Sequence, residues 1–472
     1  MEEEWMMDTP VVLLQTSKEI HFAASNGVRF SDLAFISKAI LSIVAIALGL
    51  FLLWCSTIGL PDFKGRQAER PRDEMSNSVL LVLALTMGLD YYSTDQYQSS
   101  MPNMAVEFDV SQAAMGMSIL IHTVVLSVAL LFAGPLSDRL GRRPLVLLCQ
   151  LVLVSSSFCC AFADNFAWFM VARAFQGISA SVYSVILAMV RDCFEDEAKR
   201  LAYTSMVVSM AVIGPLAAPM LGGLLASCFG WRSSFYTVAI LSLLLFVVSV
   251  RVLEETAPPY KGGSYFASVG RVLLNGRRML ILASLGICKS YFDIIAAGSS
   301  FILQWHHQFN LVQSSFLTLF ITVSGVVGIV ISSLGGRTPN EVFQTFSALV
   351  ILCSVMTFIA GVQDGNEFLF LGSLSVGTMM LYPPYLALLA DFTCELQDIA
   401  GLATSFGTSV AQFLSFALSV PGMQLSGVGC RQMLFVLGSV LLASQILCLA
   451  LCHGAMAWKS IGGQAGLTDN PG

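Results

Sequence analysis

The chain has 472 residues, of which 56% are hydrophobic and 11% are charged, and its mean hydropathy is +0.76. Soluble domains carry about 25% charged residues, so this composition excludes an ordinary soluble protein and indicates a membrane protein. The net charge of −6 is small for this length and suggests neither a nucleic-acid partner nor a polyanionic one.

The first 75 residues are predicted to form an N-terminal extension. Residues 39–60 are an uncharged apolar run of 22 residues, which is long enough to cross a bilayer. A cleaved signal peptide is disfavoured because a long segment with an acidic start precedes this run. We expect an extra transmembrane helix over 39–60, and the alternative is a segment that lies on the membrane surface.

Twelve further apolar runs follow residue 75, each about as long as a transmembrane helix. In the first half of the chain they cover 77–99, 113–133, 145–163, 167–190, 202–227 and 233–250. In the second half they cover 279–303, 313–334, 342–361, 367–390, 399–422 and 432–453. Six spans plus six are typical of transporters whose two bundles rock about a site at the membrane midplane.

A polar segment rich in proline and glycine separates the two sets of spans. We therefore predict a first six-helix bundle over 76–253, a cytoplasmic linker over 254–278, a second six-helix bundle over 279–455 and a cytoplasmic tail over 456–472. The orientation follows from lysine and arginine, which favour the cytoplasmic side. When residues 134–143 are cytoplasmic, the outer loops after residue 75 carry only Arg232 and Arg431.

Residues 134–143 read Gly-Pro-Leu-Ser-Asp-Arg-Leu-Gly-Arg-Arg and are predicted to form a short charged loop between the second and third spans. The segment matches G-x-x-x-D-R-x-G-R-R, the signature loop of major facilitator superfamily transporters, and the chain resembles that superfamily. The resemblance implies an all-α membrane protein with two six-helix bundles related by pseudo-two-fold symmetry. The predicted cytoplasmic gate residues are Gly134, Asp138, Arg139, Gly141, Arg142 and Arg143.

Asp138 is the expected latch of this gate. It is predicted to accept hydrogen bonds from a neighbouring helix N-terminus or from arginine, and so to hold the cytoplasmic side closed. The corresponding segment of the second half, residues 335–338, keeps only a remnant of the motif. The latch is therefore expected to be stronger in the first half; the alternative is a merely basic cytoplasmic turn.

Arg173 lies inside the fourth span, within the sequence Arg-Ala-Phe-Gln-Gly that ends with Gln176 and Gly177. An intramembrane arginine is costly and usually faces a partner or a water-filled cavity. The stretch resembles the superfamily's R-x-x-Q-G motif, which is linked there to proton coupling. The alternative is a structural charge that pairs with a neighbouring helix or with backbone carbonyl groups.

The fifth span carries a motif of glycines and prolines, which allow close helix contact and bend a helix. Its members are Gly214, Pro215, Pro219, Gly222 and Gly223. With Gly-Trp-Arg-x-x-Phe at 230–235, this motif resembles the bicyclomycin/chloramphenicol-resistance branch of twelve-span drug:proton antiporters. The alternative is simple close packing.

Two acidic residues lie in the first span, and the branch's Asp-x-Tyr-x-Pro-x-x-Pro motif matches Asp95, Tyr97 and Pro102, with Ser99 in place of the first proline. At a rise of about 1.5 Å per residue, Asp90 lies about 20 Å along the helix and Asp95 about 27 Å. The hydrocarbon core is about 30 Å thick, so Asp90 is nearer its middle. We predict Asp90 as the proton carrier and Asp95 as a gate or structural acid near the outer rim.

In the second half, Lys289 and Asp293 are spaced to meet on one helical face of the seventh span. We expect Lys289 to face Asp90 across a central cavity; the alternative is that Lys289 and Asp293 only neutralise each other. Tyr382 and Tyr385 flank two prolines in the tenth span and either face the cavity or anchor at a membrane interface. The predicted substrate cavity comprises Tyr97, Gln176, Lys289, Asp293, Tyr382 and Tyr385.

These features predict a proton-coupled antiporter that exports small amphipathic organic molecules or drugs by alternating access. Burial disfavours the charged form of a carboxyl group, so a proton from outside would bind Asp90 and the substrate would later displace it. The alternatives are a uniporter or uptake carrier for a metabolite, and a non-transporting sensor on the same fold.

The expected partners are a small-molecule substrate, protons and the lipid bilayer, with no nucleic acid, and the protein is expected to be a monomer in a plasma or internal membrane. No nucleotide-binding loop, metal-ligand spacing or nucleophile–base arrangement is present in the sequence. We therefore expect no cofactor, no metal and no enzymatic activity.

Overall fold

The computed structural model describes residues 75–194, 196–257, 274–306, 308–333 and 400–426, with scattered positions between 352 and 392. The predicted extra helix over 39–60 lies outside the described residues. So do most of the ninth and tenth spans and all of the twelfth. The division into two bundles and a linker therefore stays a prediction at the level of its boundaries.

The described part of the chain is helical throughout, in the order that the hydropathy predicts. The first-half helices are α1 (Asn77–Asp95), α2 (Met101–Glu107), α3 (Gln112–Leu140), α4 (Arg142–Ala161), α5 (Phe166–Ser179), α6 (Val182–Cys193), α7 (Glu197–Phe229) and α8 (Arg232–Val252). The second-half helices are α9 (Gly276–Phe301), α10 (Leu311–Ser333) and α11 (Ala400–Ser426). Seven helical segments among the described residues are long and apolar enough to cross a membrane.

Short polar side chains fix where several helices begin, by accepting from backbone N–H groups of the first turn. Ser111 accepts from the N–H of Ala114 at the start of α3, at 3.2 Å. Asn165 accepts from Trp168 at the start of α5, at 2.9 Å. These caps fix the first turns of two predicted spans in the first half.

The prediction of a loop over 134–143 is wrong. Helix α3 continues through Pro135 to Leu140, Gly141 alone turns the chain with φ of +102°, and α4 begins at Arg142. The positive φ explains the glycine, because other residues are strained there. Hydropathy marks where a helix leaves the bilayer, whereas the backbone hydrogen bonds of α3 continue into the aqueous region.

The fourth predicted span is built from two helices, and the first predicted span ends in a 3₁₀ turn that a further helix follows. The fourth span breaks at Ala180 and Ser181, where Ser181 Oγ donates to the carbonyl of Ile178 at 2.8 Å. The first span leaves α-helical geometry after Asp95, passes through a 3₁₀ turn over Gln98–Ser100 and continues as α2.

The two halves meet along α3 with α11 and along α7 with α10, while α1 packs on α7 within the first half. Glycines allow the closest of these contacts. A Cβ at Gly214 would overlap the carbonyl of Gly88, and a Cβ at Gly222 would overlap the carbonyl of Gln96. The glycines of the fifth span therefore bring α7 against the backbone of α1.

Helix α8 presents an apolar face away from the protein. Ile240, Leu241, Leu244 and Val247 are each between 45% and 59% exposed. An exposed apolar surface of this kind marks contact with another protein or with a membrane. Here the whole composition favours lipid.

Candidate functional site

Asp90 lies in the interior of the first bundle, between α1 and α5. Only 4% of the surface of Asp90 is exposed. Its Oδ1 accepts a hydrogen bond from Ser179 Oγ at 3.4 Å. Ser179 is the last residue of α5, just before the break in the fourth span, and its hydroxyl also donates to the carbonyl of Gln176 at 2.7 Å. Asp90 lies within electrostatic reach of Arg173.

Arg173 is completely buried and links α5 to the outer part of α1. Its Nη1 donates to Gln176 Oε1 at 2.6 Å and to the carbonyl of Ser93 at 3.3 Å, and its Nη2 donates to the carbonyl of Thr94 at 3.4 Å. The guanidinium carbon lies 4.5 Å from the centre of the Tyr97 ring. Arg173 thus binds backbone carbonyl groups of a neighbouring helix, as expected if its charge has a structural role. The same contacts place a fixed positive charge between Asp90 and Asp95.

Gln176 and Tyr97, both predicted to line the cavity, are fully buried beside Arg173. Gln176 Nε2 donates to Ser157 Oγ at 2.9 Å, which orients its carbonyl oxygen toward the guanidinium. The Tyr97 hydroxyl is hydrogen-bonded to Ser118 Oγ at 2.8 Å, and its ring packs against Phe169 and Phe235. In this state both side chains support Arg173.

Asp95 is the acidic residue of α1 that interacts electrostatically with charged residues of the second half. Its Oδ1 accepts from Gln98 Nε2 at 2.6 Å, and it lies within electrostatic reach of Lys289, Arg173 and Asp293. The two acids of α1 thus differ in surroundings. The charge of Lys289 acts on Asp95, whereas the interactions found for Asp90 are with Ser179 and Arg173.

Lys289 and Asp293 form an ion pair along α9, as their spacing predicts. The second carboxylate oxygen of Asp293 accepts from Ser415 of α11, and the side chain is only 5% exposed, against 26% for that of Lys289. Tyr385 is partly buried and packs against the large apolar cluster around α9. Tyr382 lies outside the described residues.

The cytoplasmic gate residues centre on the buried side chain of Arg142. Its Nη1 lies 2.6 Å from Asp138 Oδ1, and its Nε donates to Asp192 Oδ2 of α6 at 3.0 Å. The Asp138 side chain is 47% exposed. Of the two partners expected for Asp138, the structure shows arginine.

The N-terminus of α4 is bound by a different residue, Glu255. Its Oε1 accepts from the backbone N–H of Arg142 at 2.8 Å, and its Oε2 accepts from that of Arg143 at 3.3 Å. Arg143 also donates from Nη2 to the carbonyl of Val250 at 2.7 Å. Sequence reasoning missed Glu255 and Asp192, since neither belongs to the motif and Glu255 stands more than 100 residues away from it.

The fifth-span motif forms contacts on both sides of α7. The carbonyl of Pro219 accepts from Ser99 Oγ of the first half at 3.3 Å. A Cβ at Gly223 would overlap Ser315 Oγ of α10, in the second half. Close packing therefore accounts for Gly222 and Gly223, and Pro215 and Pro219 lie inside a continuous helix.

A family model described as Major Facilitator Superfamily matches residues 80–420. The chain belongs to the Major Facilitator Superfamily. The predicted resemblance is confirmed, and the protein is an integral multi-pass membrane protein of this transporter family.

The chain aligns with relatives in the superfamily over nearly the whole length of those relatives. The multidrug resistance protein MdtL of Vibrio parahaemolyticus is 26% identical over 401 residues, which covers 79% of this chain and 96% of the relative. The protein of the same name from Shewanella oneidensis is 27% identical over 395 residues, covering 80% and 91%.

Solved structures of low sequence identity share the fold. A D-xylose–proton symporter aligns with a TM-score of 0.67 at 13% identity, covering 79% of this chain and 96% of its own. A bacterial homologue of the human lysosomal transporter Spinster, in an inward-facing and unoccupied conformation, aligns with a TM-score of 0.64 at 13% identity, covering 81% and 97%. The predicted major facilitator fold, with two six-helix bundles, is therefore confirmed.

Proposed function

We propose that this protein is a proton-coupled antiporter that exports small amphipathic organic molecules. The observation that carries the proposal is the match to multidrug resistance proteins over 91–96% of their length. A buried acid and a buried arginine on facing helices of the first bundle supply groups suited to proton coupling.

Asp90 is the proposed proton carrier. It lies five residues before the end of α1, it is buried, and its hydrogen bond from Ser179 is long. Arg173 directs its hydrogen bonds to Gln176 and to two carbonyl groups, so its charge acts on Asp90 without a close ion pair among the described contacts.

The substrate is proposed to bind between α1 and α9, where Asp95 lies within reach of Lys289 and Asp293. Asp293 is already paired with Lys289 and Ser415. Asp95 then acts as a gate acid at the outer side of this site, and Tyr97 and Gln176 hold Arg173 in place. A single chain is the proposed transport unit.

The cycle follows from these positions. A proton from outside binds Asp90 while the outer side is open. After the bundles rock and the cytoplasmic side opens, substrate from the cytoplasm binds and displaces the proton by changing the balance of charge around Asp90 and Arg173. Opening the cytoplasmic side is proposed to break the interactions of Asp138.

The test uses purified protein in proteoliposomes that contain a trapped pH-sensitive dye. Under an imposed pH gradient, a panel of amphipathic drugs and small metabolites is added. We expect substrate-evoked proton flux that is lost in Asp90→Asn and retained in the control Asp164→Asn, which changes an exposed outer acid. Proton-driven accumulation that persists in Asp90→Asn would overturn the assignment of Asp90. Substrate exchange without proton flux in the unaltered protein would overturn proton coupling.

A further inference from the structure

One side chain near the outer end of α9 connects both halves of the protein. After Phe301 the helix continues as a π-helical turn over Ile302–His306, and Gln304 lies in this turn. Its Nε2 donates to the carbonyl of Ser99 in the first half at 2.6 Å and lies 2.8 Å from Ser314 Oγ of α10. The amide of Gln304 thus joins the 3₁₀ turn of the first span to two elements of the second half.

This contact lies on the outer side. Helices α1 and α9 both begin on the side of the basic loops, which is cytoplasmic, and Ser99 and Gln304 follow the ends of these helices. Beside them, Gly223 of α7 packs against Ser315 of α10, and its Cβ would also come within 3.5 Å of Ser99 Cβ. The outer ends of the halves are therefore in contact in this structure.

The segments around this contact carry buried polar groups that are not hydrogen-bonded. In the first half these are the side-chain amide of Gln96 and the hydroxyl of Ser100, and in the second half the hydroxyls of Ser299 and Ser300. None of them has a hydrogen-bond partner among the residues that the structure describes. Burying such groups without a partner is unfavourable, so hydration would favour separation of the outer ends.

We propose that Gln304 is an outer gate residue, whose amide holds the first and seventh spans together and whose release lets water reach Gln96, Ser100, Ser299 and Ser300. A directional hydrogen bond favours closure, and the unpaired groups favour opening. Opposing contributions of this kind allow the outer side to be closed in one state and open in another, as alternating access requires. The inference rests on the proposed transport function, but it depends on neither the substrate nor the proton site.

The experiment measures the distance between the outer ends directly. Spin labels are placed on Asn103→Cys and Asn310→Cys, two exposed outer positions in opposite halves, in a cysteine-depleted background in lipid. Pulsed electron paramagnetic resonance then gives the ratio of long to short distances. We expect Gln304→Ala to raise this ratio about two- to tenfold, since a net hydrogen bond has that weight.

Three further variants make the result decisive. Gln304→Glu keeps the size but cannot donate when ionised, so it should raise the ratio as well, and it replaces the alanine variant if that one folds poorly. Gln308→Ala removes an amide whose one hydrogen bond among the described residues is to the carbonyl of Trp305 in its own half, and it should leave the ratio unchanged. Ser299→Ala combined with Ser300→Ala should lower the ratio.

The proposal is overturned if Gln304→Ala and Gln304→Glu behave like Gln308→Ala, or if the double serine variant opens the outer side. Because the readout is a distance, it stays valid when proton flux is absent. A protein whose outer gate responds as expected but which exchanges substrate without proton flux would contradict the proposed function alone.

Discussion

The carboxylate of Glu255 caps the helix that begins at Arg142, across a sequence separation of 113 residues. It also accepts from the N–H groups of Thr256 and Ala257, at 3.0 and 2.9 Å, so one side chain binds four backbone donors. Negative charge at a helix N-terminus is favourable. The chain that leaves α8 is therefore tied to the signature turn, and the two are expected to move together.

Replacing Glu255 by alanine is expected to destabilise the protein by about 1–2 kcal/mol, the usual effect of losing a helix cap. The measurement is the apparent melting temperature in detergent. Thr256→Val is the matched control, since the Thr256 hydroxyl is buried without a partner among the described residues and its replacement should change little. Equal melting temperatures for Glu255→Ala and the unaltered protein would contradict the cap.

The two acidic residues of α1, Asp90 and Asp95, are expected to have different roles in transport. Asp90→Asn should remove the proton flux that accompanies substrate, whereas Asp95→Asn should keep the proton-to-substrate ratio and change the transport rate, because Asp95 senses Lys289 at the junction of the halves. Both ratios can be measured with the same pH-sensitive dye and labelled substrate. The assignments would be exchanged if Asp95→Asn lost the flux and Asp90→Asn kept it.

Two glycines should respond in opposite ways to alanine. Gly222→Ala forces a methyl group onto the backbone carbonyl of Gln96, which cannot yield as a side chain can, so we expect a loss of about 1–3 kcal/mol. A Cβ at Gly134 meets no atom within 4 Å, and Gly134→Ala within α3 should raise stability by about 0.5–1 kcal/mol. Melting temperatures of the two variants check both signs. A Gly222→Ala protein as stable as the original would show that α1 and α7 lie further apart.

The sequence predicts the spans, their orientation and the superfamily because each rests on a local signal. Hydrophobic runs, basic loops and the segment 134–143 are all contiguous in the chain. The Glu255 cap and the partner Asp192 of Arg142 join distant segments through single side chains, and no local pattern marks them. The sequence predicts that Arg173 lies inside the fourth span. Its contacts with two carbonyl groups and with the Tyr97 ring depend on the packing of α1 against α5, which no local pattern shows.

Glu107 gives a pH-dependent contact at the outer surface. Partial burial acts to raise its pKa, but hydrogen bonds from Arg232 and Trp231 outweigh this, and the pKa of Glu107 lies below the usual 4.5. Because the folded protein favours the ionised form, the stabilisation is present above pH 4.5 and is lost as the pH falls through the lowered value. We expect a small effect, since both charged side chains are partly exposed.

The check compares the pH dependence of the melting temperature with that of Glu107→Gln. The variant should lose part of the stability difference between neutral and acidic pH. Identical pH profiles would show that the pair with Arg232 adds nothing measurable.

The variant Arg173→Lys tests whether Arg173 stabilises the fold or takes part in proton coupling. Lysine keeps the charge but cannot reach Gln176, two carbonyl groups and the face of Tyr97 at once, so buried acceptors lose their donors. Since each such loss costs about 1–3 kcal/mol, we expect clearly lower stability together with weaker proton coupling. Tyr97→Phe is the matched control: it keeps the ring under the guanidinium and removes the hydroxyl's hydrogen bond to Ser118, its one side-chain bond among the described residues. It should retain coupling with a smaller stability loss.

The two roles of Arg173 then separate in the data. An Arg173→Lys protein that melts near the original temperature but moves no protons with its substrate would show that the geometry of the guanidinium is needed for coupling itself. One that is less stable yet keeps the original proton-to-substrate ratio would show that Arg173 is structural. Its hydrogen bonds to Ser93 and Thr94 would then serve to hold α1 against α5, and proton coupling would rest on Asp90 without it.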